Sequence, residues 1–473
     1  MALKNFSDTS AAARSCNSAA VTHSEEPASN AIRDEIAALE PRALRTYTPS
    51  LAVIARSAGC YHYTPDERKL ADFTSGVLVA NLGHNPARWW RRVMEYMGYG
   101  EATGPGEFFA AVPLTAYNAI TPLEAVACRR LLASLQSQPG GSRLEQVLWS
   151  ASGSEGIIKA IRTALAQDAD RQMILATRAG FHGKKGLAGA VTGSEIDPER
   201  DARVRFIRFP QEECYSLERR RQPLDLAPYA EELERIGNEL GERICCLVTE
   251  PYLGGGGSYH PQPEYLQLLQ SFCRERNIIF ILDEVQSNFG RTGQMFAFTT
   301  YGIEPDMVVL GKGLGNGIPV DAVVGRADLF AKLTYGEASD TWSAHPLGCA
   351  AVLATLDEFE QHDVLGKGRE LAAVLESGLQ RLCELEAVAA IRGEGTVWGI
   401  QCAPVSGRSS SEVAEGIVAA CYHGDAAGRA IHLLGPLAGD VIRVAPPLVM
   451  RCEEAAEYLD AMYDMILSVG ERS

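Results

Sequence analysis

The amino-acid sequence predicts an α/β protein, with a large domain built on a mostly parallel sheet covered by helices and a smaller α+β domain. Two observations lead to this prediction. Between residues 146 and 326, near-continuous apolar segments alternate with segments of helical pattern. After Pro346 the alternation gives way to long helical segments with short strands between them. Strands that are apolar along their whole length are typical of a parallel sheet buried on both faces.

The elements of the large domain follow one another in a regular order. Strands are predicted over 146–152, 172–178, 243–250, 277–285, 306–313 and 322–326. Helices are predicted over 154–167 and 262–276. Nearer the N-terminus, residues 31–45 carry a short helical pattern and residues 60–82 an extended one.

The remaining segments are assigned from both ends of the chain. We expect residues 1–30, rich in Ser, Ala and Asn, to be flexible, and residues 31–80 to be the N-terminal part of the small domain. The large domain is expected over 81–345 and the C-terminal part of the small domain over 346–473. This last part begins with a helix over 347–362, continues with strands in VWGIQCA and VIRVAPP, and ends with a helix.

The composition and charge of the chain limit the classes of function that it can have. The 473 residues, 46% hydrophobic and 22% charged, are typical of a globular protein, and the formal net charge of −16 disfavours nucleic acid or an anionic membrane as partner. No stretch has the length and apolar character of a membrane span. The 12 cysteines form no CxxC pair and are interpreted as free thiols. A cytoplasmic enzyme acting on small molecules is therefore predicted.

The segment SASGSEGIIKAIRTA places Ser152, Gly153 and Ser154 where a strand runs directly into a helix. Backbone N–H groups and the positive helix end then face one point, which favours an anion such as phosphate. The alternative needs no ligand, because Ser154 could simply cap the helix, with Glu155 in its first turn. Neither a Walker A motif nor a GxGxxG motif is present.

Asp283 and Glu284 stand at the end of the very apolar segment NIIFILDEV, where an unpaired charge would be costly. A metal ion is disfavoured, because the nearest histidines in sequence, His260 and His345, are not at ligand spacing. A protonated ring nitrogen would serve equally well. The alternative is an aspartate that caps the next helix.

Lys312 lies among glycines in DMVVLGKGLGNGIPV, 29 residues after Asp283 and at the end of another predicted strand. Only eight lysines occur in the chain, so one flanked by glycines is less readily explained as a surface charge, although a loop lysine is the alternative. A lysine, a buried carboxylate and a phosphate cradle at one rim are what pyridoxal phosphate chemistry requires.

Eight sequence blocks then resemble the class III aminotransferases, the fold type I pyridoxal phosphate family that includes ornithine, acetylornithine and 4-aminobutyrate transaminases. The resemblance covers roughly residues 45–465. The blocks are DFTSGVLVANLGHNP, SGSEG, FHGKKG, EPYLGGGG, ILDEVQSNFGRTG, PDMVVLGKGLGNGIP, TWSAHP and IRVAPPL.

The resemblance implies a role for each matching position. Lys312 would form the internal aldimine with pyridoxal phosphate and then move the substrate proton as base and acid. Asp283 would keep the ring nitrogen protonated, Gln286 would bond the ring oxygen, and Phe181 would stack on the ring. The cofactor-binding set implied in this way is Ser152, Gly153, Ser154, Phe181, Glu250, Asp283, Gln286, Lys312 and Thr341.

Two implied contacts involve other molecules. Thr341 is similar to the threonine that reaches the phosphate of a neighbouring subunit, which implies a homodimer with shared active sites. Arg443 resembles the arginine that receives a substrate carboxylate. Taken singly, Phe181 also fits a core residue, Gln286 a helix-surface residue, Thr341 a turn residue and Arg443 a structural ion pair. His182 is expected to make a structural hydrogen bond.

Three departures from the family pattern bear on the substrate. Gly255 stands where ornithine-type enzymes carry a glutamate, His345 stands where asparagine is usual, and Ile157 replaces asparagine or glycine. Because the missing glutamate would mask the arginine, we expect Arg443 to be available to donor and acceptor alike. We further expect the run Gly254 to Gly257 to leave space beside it.

The resulting prediction is a pyridoxal phosphate-dependent aminotransferase that moves an amino group between an amine or amino acid and a 2-oxo acid in two half-reactions. A decarboxylase, epimerase or aminomutase on the same scaffold is the first alternative. A non-catalytic dimeric binding protein is the second.

Overall fold

The computed structural model describes residues 21–99, 108–197 and 200–471. By its internal contacts the chain divides into two compact units. Unit 1 comprises residues 1–85, 215–217 and 367–473, and unit 2 comprises residues 86–214 and 218–366. Within the described residues, no helix is both long enough and apolar enough to cross a membrane.

A seven-stranded sheet forms the centre of unit 2, with the strand order β4-β10-β9-β8-β7-β5-β6. Strand β10 is antiparallel to both of its neighbours, and the other adjacent pairs are parallel. The strands are β4 (Gln146–Ser150), β5 (Met173–Thr177), β6 (Val204–Ile207), β7 (Ile244–Thr249), β8 (Ile279–Asp283), β9 (Met307–Leu310) and β10 (Asp321–Gly325). The reversal of β10 brings its first residue to the edge where the other strands end.

The central strands of this sheet are buried along their whole length, because helices pack against the sheet. One apolar cluster joins Ile157, Ile161 and Ala164 to strand residues such as Val248 and Ile281. The helices are α3 (Ala87–Tyr96), α4 (Pro122–Gln136), α5 (Gly153–Leu165), α6 (Gly186–Ala190), α7 (Leu217–Arg220), α8 (Ala227–Leu240), α9 (Pro263–Glu275), α10 (Ala297–Tyr301), α11 (Ala327–Phe330) and α12 (Pro346–Gln361).

Unit 1 contains two smaller sheets. The four-stranded sheet has the order β1-β2-β3-β13 and the three-stranded sheet the order β11-β12-β14. The strands are β1 (Arg56–Ala58), β2 (Tyr61–Tyr63), β3 (Lys69–Asp72), β11 (Val388–Glu394), β12 (Val397–Cys402), β13 (Ala430–His432) and β14 (Val441–Val444). The helices are α1 (Pro27–Leu39), α2 (Ser75–Leu78), α13 (Val364–Arg381), α14 (Ser410–His423) and α15 (Cys452–Glu471).

The predicted α/β class is confirmed, and the six predicted strands of the large sheet are present with ends shifted by up to three residues. Strand β6 was not predicted, because the arginine among its four residues, VRFI, interrupts the apolar run. Residues 60–82 are extended in β2 and β3 only, and then turn into α2.

The N-terminal helix differs from its predicted span of 31–45. Helix α1 starts at Pro27 and ends at Leu39. Proline suits the first turn of a helix because it lacks the N–H that would be unbonded there, and Pro41 prevents the helix from continuing. Residues 27–30, within the segment expected to be flexible, therefore belong to helix α1, and the first 20 residues of that segment lie outside the described part.

The bounds of the two units also differ from those of the four segments expected from sequence. The division of the chain into domains at those four segments stays a prediction. Helix α12, expected to open the small domain, belongs to unit 2. Its residues are buried on nearly every side, and it packs against α3 and α4. The change of sequence pattern at Pro346 therefore does not coincide with the boundary of the units.

Candidate active site

The predicted catalytic residues of unit 2 meet at one edge of the seven-stranded sheet. Asp283 is the last residue of β8, and Lys312 follows the end of β9 by two residues. Asp283 is the register partner of Val309 on β9, so the two positions are neighbours across adjacent strands. The carboxyl ends of parallel strands are where α/β proteins place their chemistry.

Asp283 is held from two sides. One carboxylate oxygen, Oδ2, lies 2.7 Å from Nδ1 of His182, and the other, Oδ1, accepts a hydrogen bond of 3.0 Å from the Val285 amide. Burial acts to lower the pKa of His182, but the hydrogen bond and charge of Asp283 outweigh it and raise that pKa above its ordinary value. The expected structural hydrogen bond of His182 is therefore present, and its partner is the predicted catalytic carboxylate.

Lys312 occupies a left-handed backbone conformation, with φ of 47°, at the start of a short 3₁₀ turn, Lys312–Leu314. Such a conformation is strained for a residue with a side chain and is a common mark of functional sites. The turn is anchored by Asn288, whose side-chain amide donates a hydrogen bond of 3.1 Å to the Gly311 carbonyl. A Cβ at position 311 would lie 2.3 Å from a carboxylate oxygen of Asp321, so glycine is required there.

Asp321 is a second buried carboxylate that the sequence analysis missed. It begins β10, and because that strand runs in the opposite direction, Asp321 lies at the same edge as Asp283. Its Oδ1 accepts a hydrogen bond from the Ser150 hydroxyl at 3.1 Å, and its Oδ2 has no hydrogen-bond partner among the described residues. The signal in the sequence that could have identified Asp321 was an acidic residue within the apolar run VDAVVG.

The protonation state of Asp321 follows from its surroundings. Burial raises the pKa of Asp321 well above its ordinary value, and the charge of Asp283 raises it further. The Ser150 hydrogen bond and the charge of Lys312 work in the other direction and do not outweigh burial. The edge therefore holds two carboxyl groups in different environments, and burial favours the protonated form of Asp321.

The predicted phosphate cradle is formed by the start of helix α5. The helix begins at Gly153, and the cap is Ser152, whose Oγ accepts a hydrogen bond of 3.4 Å from the Glu155 amide. The alternative that Ser154 caps this helix is therefore wrong. A Cβ on Gly153 would lie 2.9 Å from Val285, so glycine permits this close packing. The first-turn amides and the positive helix end remain directed at one point.

Glu250 positions the backbone around Phe181. Its two carboxylate oxygens accept hydrogen bonds from the amides of Phe181, at 2.8 Å, and Gly254, at 3.1 Å. Burial raises the pKa of Glu250 to about 7. The Phe181 side chain remains 40% exposed, so one ring face is open to a flat ligand.

Three glycines of the run 254–257 pack closely against neighbouring residues, and the expected space beside Arg443 stays a prediction. A Cβ added at Gly254 would lie 2.0 Å from Oε1 of Gln286, and one at Gly255 would lie 2.7 Å from Cβ of Phe181. At Gly256 the Ala179 carbonyl would be 2.6 Å away. Any larger residue at Gly255, glutamate included, would displace Phe181, so glycine here is required by the packing of the aromatic ring.

The other two departures from the family pattern also have local explanations. His345 caps helix α12, because its Nδ1 accepts a hydrogen bond of 3.1 Å from the Gly348 amide while Nε2 lies 2.8 Å from the Pro319 carbonyl. Histidine thus does at this position what an asparagine cap would do. Ile157 is fully buried in the apolar cluster beneath the sheet.

Thr341 lies on an exposed turn of unit 2. Its carbonyl accepts a hydrogen bond of 3.3 Å from the Thr115 hydroxyl. The turn is held from within by Lys159, whose ammonium donates to Asp340 at 2.7 Å and to Ser343 at 2.8 Å. This buried lysine was not singled out from sequence, because it sits within an ordinary helical pattern.

Arg443 lies in unit 1, on strand β14, and is 5% exposed. Its register partner on β12 is Gly399, which has no side chain to cover it. The geometry of unit 2 does not bear on Arg443, and its substrate role stays a prediction.

The residues of unit 2 fit pyridoxal phosphate. A half-exposed aromatic ring, a helix start and a lysine on a strained turn are accompanied by a buried amide oxygen, Oε1 of Gln286, with no partner among the described residues. A cofactor with a phosphate, a ring hydroxyl that can donate to Oε1, and an aldehyde would satisfy these groups. Fold and site together define a fold type I pyridoxal phosphate enzyme.

The family follows from comparison with known proteins. The class-III aminotransferase model matches residues 43–466. The chain belongs to the class-III aminotransferase family and is a pyridoxal phosphate-dependent aminotransferase, acting on an amino donor and a keto acid.

Individual relatives share about a third of their residues or less with this chain. It is 31% identical over 416 residues to the 2-aminoadipate transaminase of Pseudomonas putida, covering 84% of this chain and 91% of that protein. It is 28% identical to the leucine/methionine racemase of Thermococcus litoralis, covering 91% and 94%. Among solved structures, the pyridoxal phosphate-bound amine transaminase from an uncultivated Pseudomonas species is 26% identical, with a TM-score of 0.73 and coverage of 90% and 96%.

The two carboxyl groups at the sheet edge should respond differently to the same substitution. Asp321→Asn replaces a carboxyl group whose protonated form is favoured by burial with a neutral amide, so kcat should stay within about tenfold of the wild-type value. Asp283→Asn removes the carboxylate bonded to His182, and kcat should fall by roughly 100-fold or more. Steady-state kinetics of both variants, with circular dichroism to check folding, measure the difference. Equal losses in the two variants would contradict the distinction between the carboxyl groups.

Proposed function

We propose that the enzyme carries out transamination in two half-reactions, with Lys312 as the residue that binds the cofactor and moves the substrate proton. The observation that supports this most directly is the position of Lys312 on its strained turn, one strand away from the Asp283–His182 pair. A lysine among glycines, anchored by Asn288 and close to two carboxyl groups, can be brought to a reacting carbon by side-chain rotation alone.

The cofactor-binding roles are proposed residue by residue. Ser152, Gly153 and Ser154 would hold the phosphate at the start of α5. Phe181 would cover one face of the ring, and Gln286 would bond its oxygen. When bound, pyridoxal phosphate supplies an electron sink for the bond broken at the substrate carbon.

Asp283 would bind the ring nitrogen, and its orientation is supported by His182. Because Nδ1 of His182 contacts Oδ2 at 2.7 Å and the Val285 amide contacts Oδ1, the carboxylate plane has little freedom to rotate. Glu250 would act through the backbone, by fixing the amide of Phe181. The amine Nζ of Lys312 would take the proton from the substrate carbon and return it.

Racemisation is the second candidate, and it is favoured by one observation. The similarity to a leucine/methionine racemase covers 91% of this chain, nearly the same extent as the similarity to transaminases. Racemisation and transamination both begin with removal of the same proton. Transamination needs a 2-oxo acid to complete the cycle, whereas racemisation of a chiral donor proceeds without one. Loss of optical rotation in the absence of oxo acid would favour the racemase.

Lys312→Ala should abolish amino transfer, because no other group can both bind the aldehyde and carry the proton. Reduction of the wild-type holoenzyme with borohydride, followed by peptide mapping, should place the label on Lys312. Lys184→Ala is the matched control, since Lys184 is an exposed lysine on the segment that follows Phe181. A label on Lys184 or Lys185 would refute the proposed role.

We also propose that the enzyme is a homodimer with shared active sites. Unit 2 exposes large apolar side chains in the segment 108–120 and beside Thr341, and exposed apolar groups of this size are typical of interaction surfaces. Phe108 is 89% exposed, Ile120 84% and Trp342 55%. The hydrogen bond from Thr115 to Thr341 joins this segment to the turn. Thr341 would then contact the phosphate bound by the other subunit.

Sharing of sites can be tested by complementation. In a heterodimer of Lys312→Ala and Thr341→Ala chains, both defects should fall in one site and leave the other intact. Two affinity tags allow the heterodimer to be isolated, and its activity should exceed that of either homodimer. Ile120→Glu should weaken dimerisation in sedimentation, whereas Leu39→Glu, at another position that is 72% exposed, should not. A fully active monomer would exclude shared sites.

Arg443 is proposed to receive the carboxylate of the oxo acid and of an anionic donor. A guanidinium can bind a carboxylate through two parallel hydrogen bonds, which lysine cannot reproduce. Arg443→Ala should raise KM for both substrates by the equivalent of about 2 to 5 kcal/mol, and Arg443→Lys should recover only part of the loss. An amine panel against pyruvate and 2-oxoglutarate would measure both. Unchanged KM values with uncharged amines as best donors would exclude this role.

A cytoplasmic location is proposed as well. The described cysteines are all free, and most are buried. Burial raises the pKa of Cys402 and Cys421 to about 12, which keeps these thiols protonated and unreactive. Free, unreactive thiols are compatible with a reducing compartment.

A further inference from the structure

Three of the nine histidines of the chain meet on one face of the four-stranded sheet in unit 1. His432 on β13 is the register partner of Asp72 on the parallel strand β3, and partners on adjacent strands point to the same face. His62 on β2 faces Leu70, two residues before Asp72, and therefore shares this face. His84 arrives from the loop after α2 through a backbone bridge to Gly59.

The other face of this sheet is occupied by the main apolar cluster of unit 1. Ala71, Phe73 and Ile431, which alternate with Asp72 and His432 along their strands, belong to that cluster. The face with the histidines is therefore separated from the hydrophobic core by the sheet itself. A polar cluster can exist there without disrupting the core.

The ligand atoms of three of these residues converge. One nitrogen each of His62 and His84 and one carboxylate oxygen of Asp72 lie within 4.8 Å of one another. Oδ2 of Asp72 is 2.7 Å from Nε2 of His84 and 3.6 Å from Nε2 of His62. In tetrahedral zinc sites with bonds of about 2.0 Å, ligand atoms stand roughly 3.3 Å apart, so small shifts would bring this set to that geometry.

His432 supplies a further nitrogen beside the set. Its ring lies 5.2 Å from the His62 ring, in an edge-to-face arrangement, and its Nδ1 is buried with no hydrogen-bond partner among the described residues. An imidazole can bind a metal ion through a ring nitrogen that has no other partner.

His62 and Asp72 also make hydrogen bonds on the side away from the cluster, and these are of the kind that metal ligands commonly make. Nδ1 of His62 lies 2.7 Å from the Ser57 hydroxyl, which leaves Nε2 to face Asp72. Oδ1 of Asp72 accepts hydrogen bonds from the amide and the hydroxyl of Thr74, at 2.8 and 2.6 Å, which leaves Oδ2 to face the histidines. Such contacts fix the orientation of the ligating atoms.

The cluster is closed except at one side. The side chains of Asp72 and His62 are 0% and 4% exposed, whereas that of His84 is 17% exposed. An ion could therefore enter past His84.

We propose that His62, Asp72 and His84 form a binding site for a divalent transition metal ion, with zinc the best match, and that the His432 ring moves toward the ion to become its fourth ligand. Three nitrogens and one carboxylate oxygen suit Zn²⁺ in a closed, four-coordinate structural site. The ion would join β2, β3, β13 and the loop carrying His84. It would stabilise unit 1 and take no part in the chemistry of Lys312.

Metal binding is measured directly on the holoenzyme after dialysis against EDTA. Calorimetric titration with Zn²⁺ should give about one ion per chain with Kd of roughly 10⁻⁷ M or tighter, and Zn²⁺ should raise Tm. Titration with Co²⁺ should give visible d–d bands at wavelengths beyond the cofactor absorption. Anomalous diffraction at the zinc edge should place the ion between His62 and His84.

Variants separate this site from other metal contacts, including those of the cofactor. His62→Ala and His432→Ala should each weaken Zn²⁺ binding by roughly 100-fold, and Ser57→Ala, which leaves all four ligands in place, by about tenfold. His362→Ala is the matched control, because His362 is a partly exposed histidine of unit 2 and should leave binding unchanged. Absence of Zn²⁺ binding by the wild-type protein, or equal binding by His62→Ala, would overturn the proposal.

Discussion

The hydrogen bond between Asp283 and His182 is the contact around which the candidate site is organised. Strand β8 is buried along its whole length, so a carboxylate at its end must find a partner inside the protein. His182 provides one at 2.7 Å. The following segment, from Val285 to Asn288, then bonds both Asp283 and the carbonyl before Lys312. Carboxylate, histidine and lysine are thus coupled through a few short contacts.

Close packing explains why glycine occupies several positions around the candidate site. Gly153 packs on Val285, Gly254 on Gln286, and Gly255 on Phe181. Each of these neighbours is a residue of the candidate cofactor site or lies beside one. Glycine at position 255 is therefore explained by packing, because a longer side chain would move the ring that is proposed to cover the cofactor.

The same physical problem, a carboxyl group buried at a strand terminus, is solved in three ways in this protein. Asp283 has a histidine partner, burial favours the protonated form of Asp321, and Asp72 in unit 1 contacts His62 and His84. Which solution applies depends on the neighbours that the sheet register supplies. An apolar strand beside each of the three aspartates does not by itself distinguish them.

The α/β class, the six strands of the large sheet, and the positions of Asp283, Lys312 and the α5 start were predictable because apolar periodicity and glycine spacing are local properties. Lys159, the Ser152 cap, and the contacts of His182 and His345 depended on side-chain geometry that no local pattern encodes. The place of Asp321 at the catalytic edge required the reversed direction of β10. Likewise, the histidine cluster joins residues 62, 84 and 432, which only the pairing of β3 with β13 brings together. Sequence therefore determined the elements and their chemistry, whereas strand direction and register, which are set by long-range packing, decided which side chains meet.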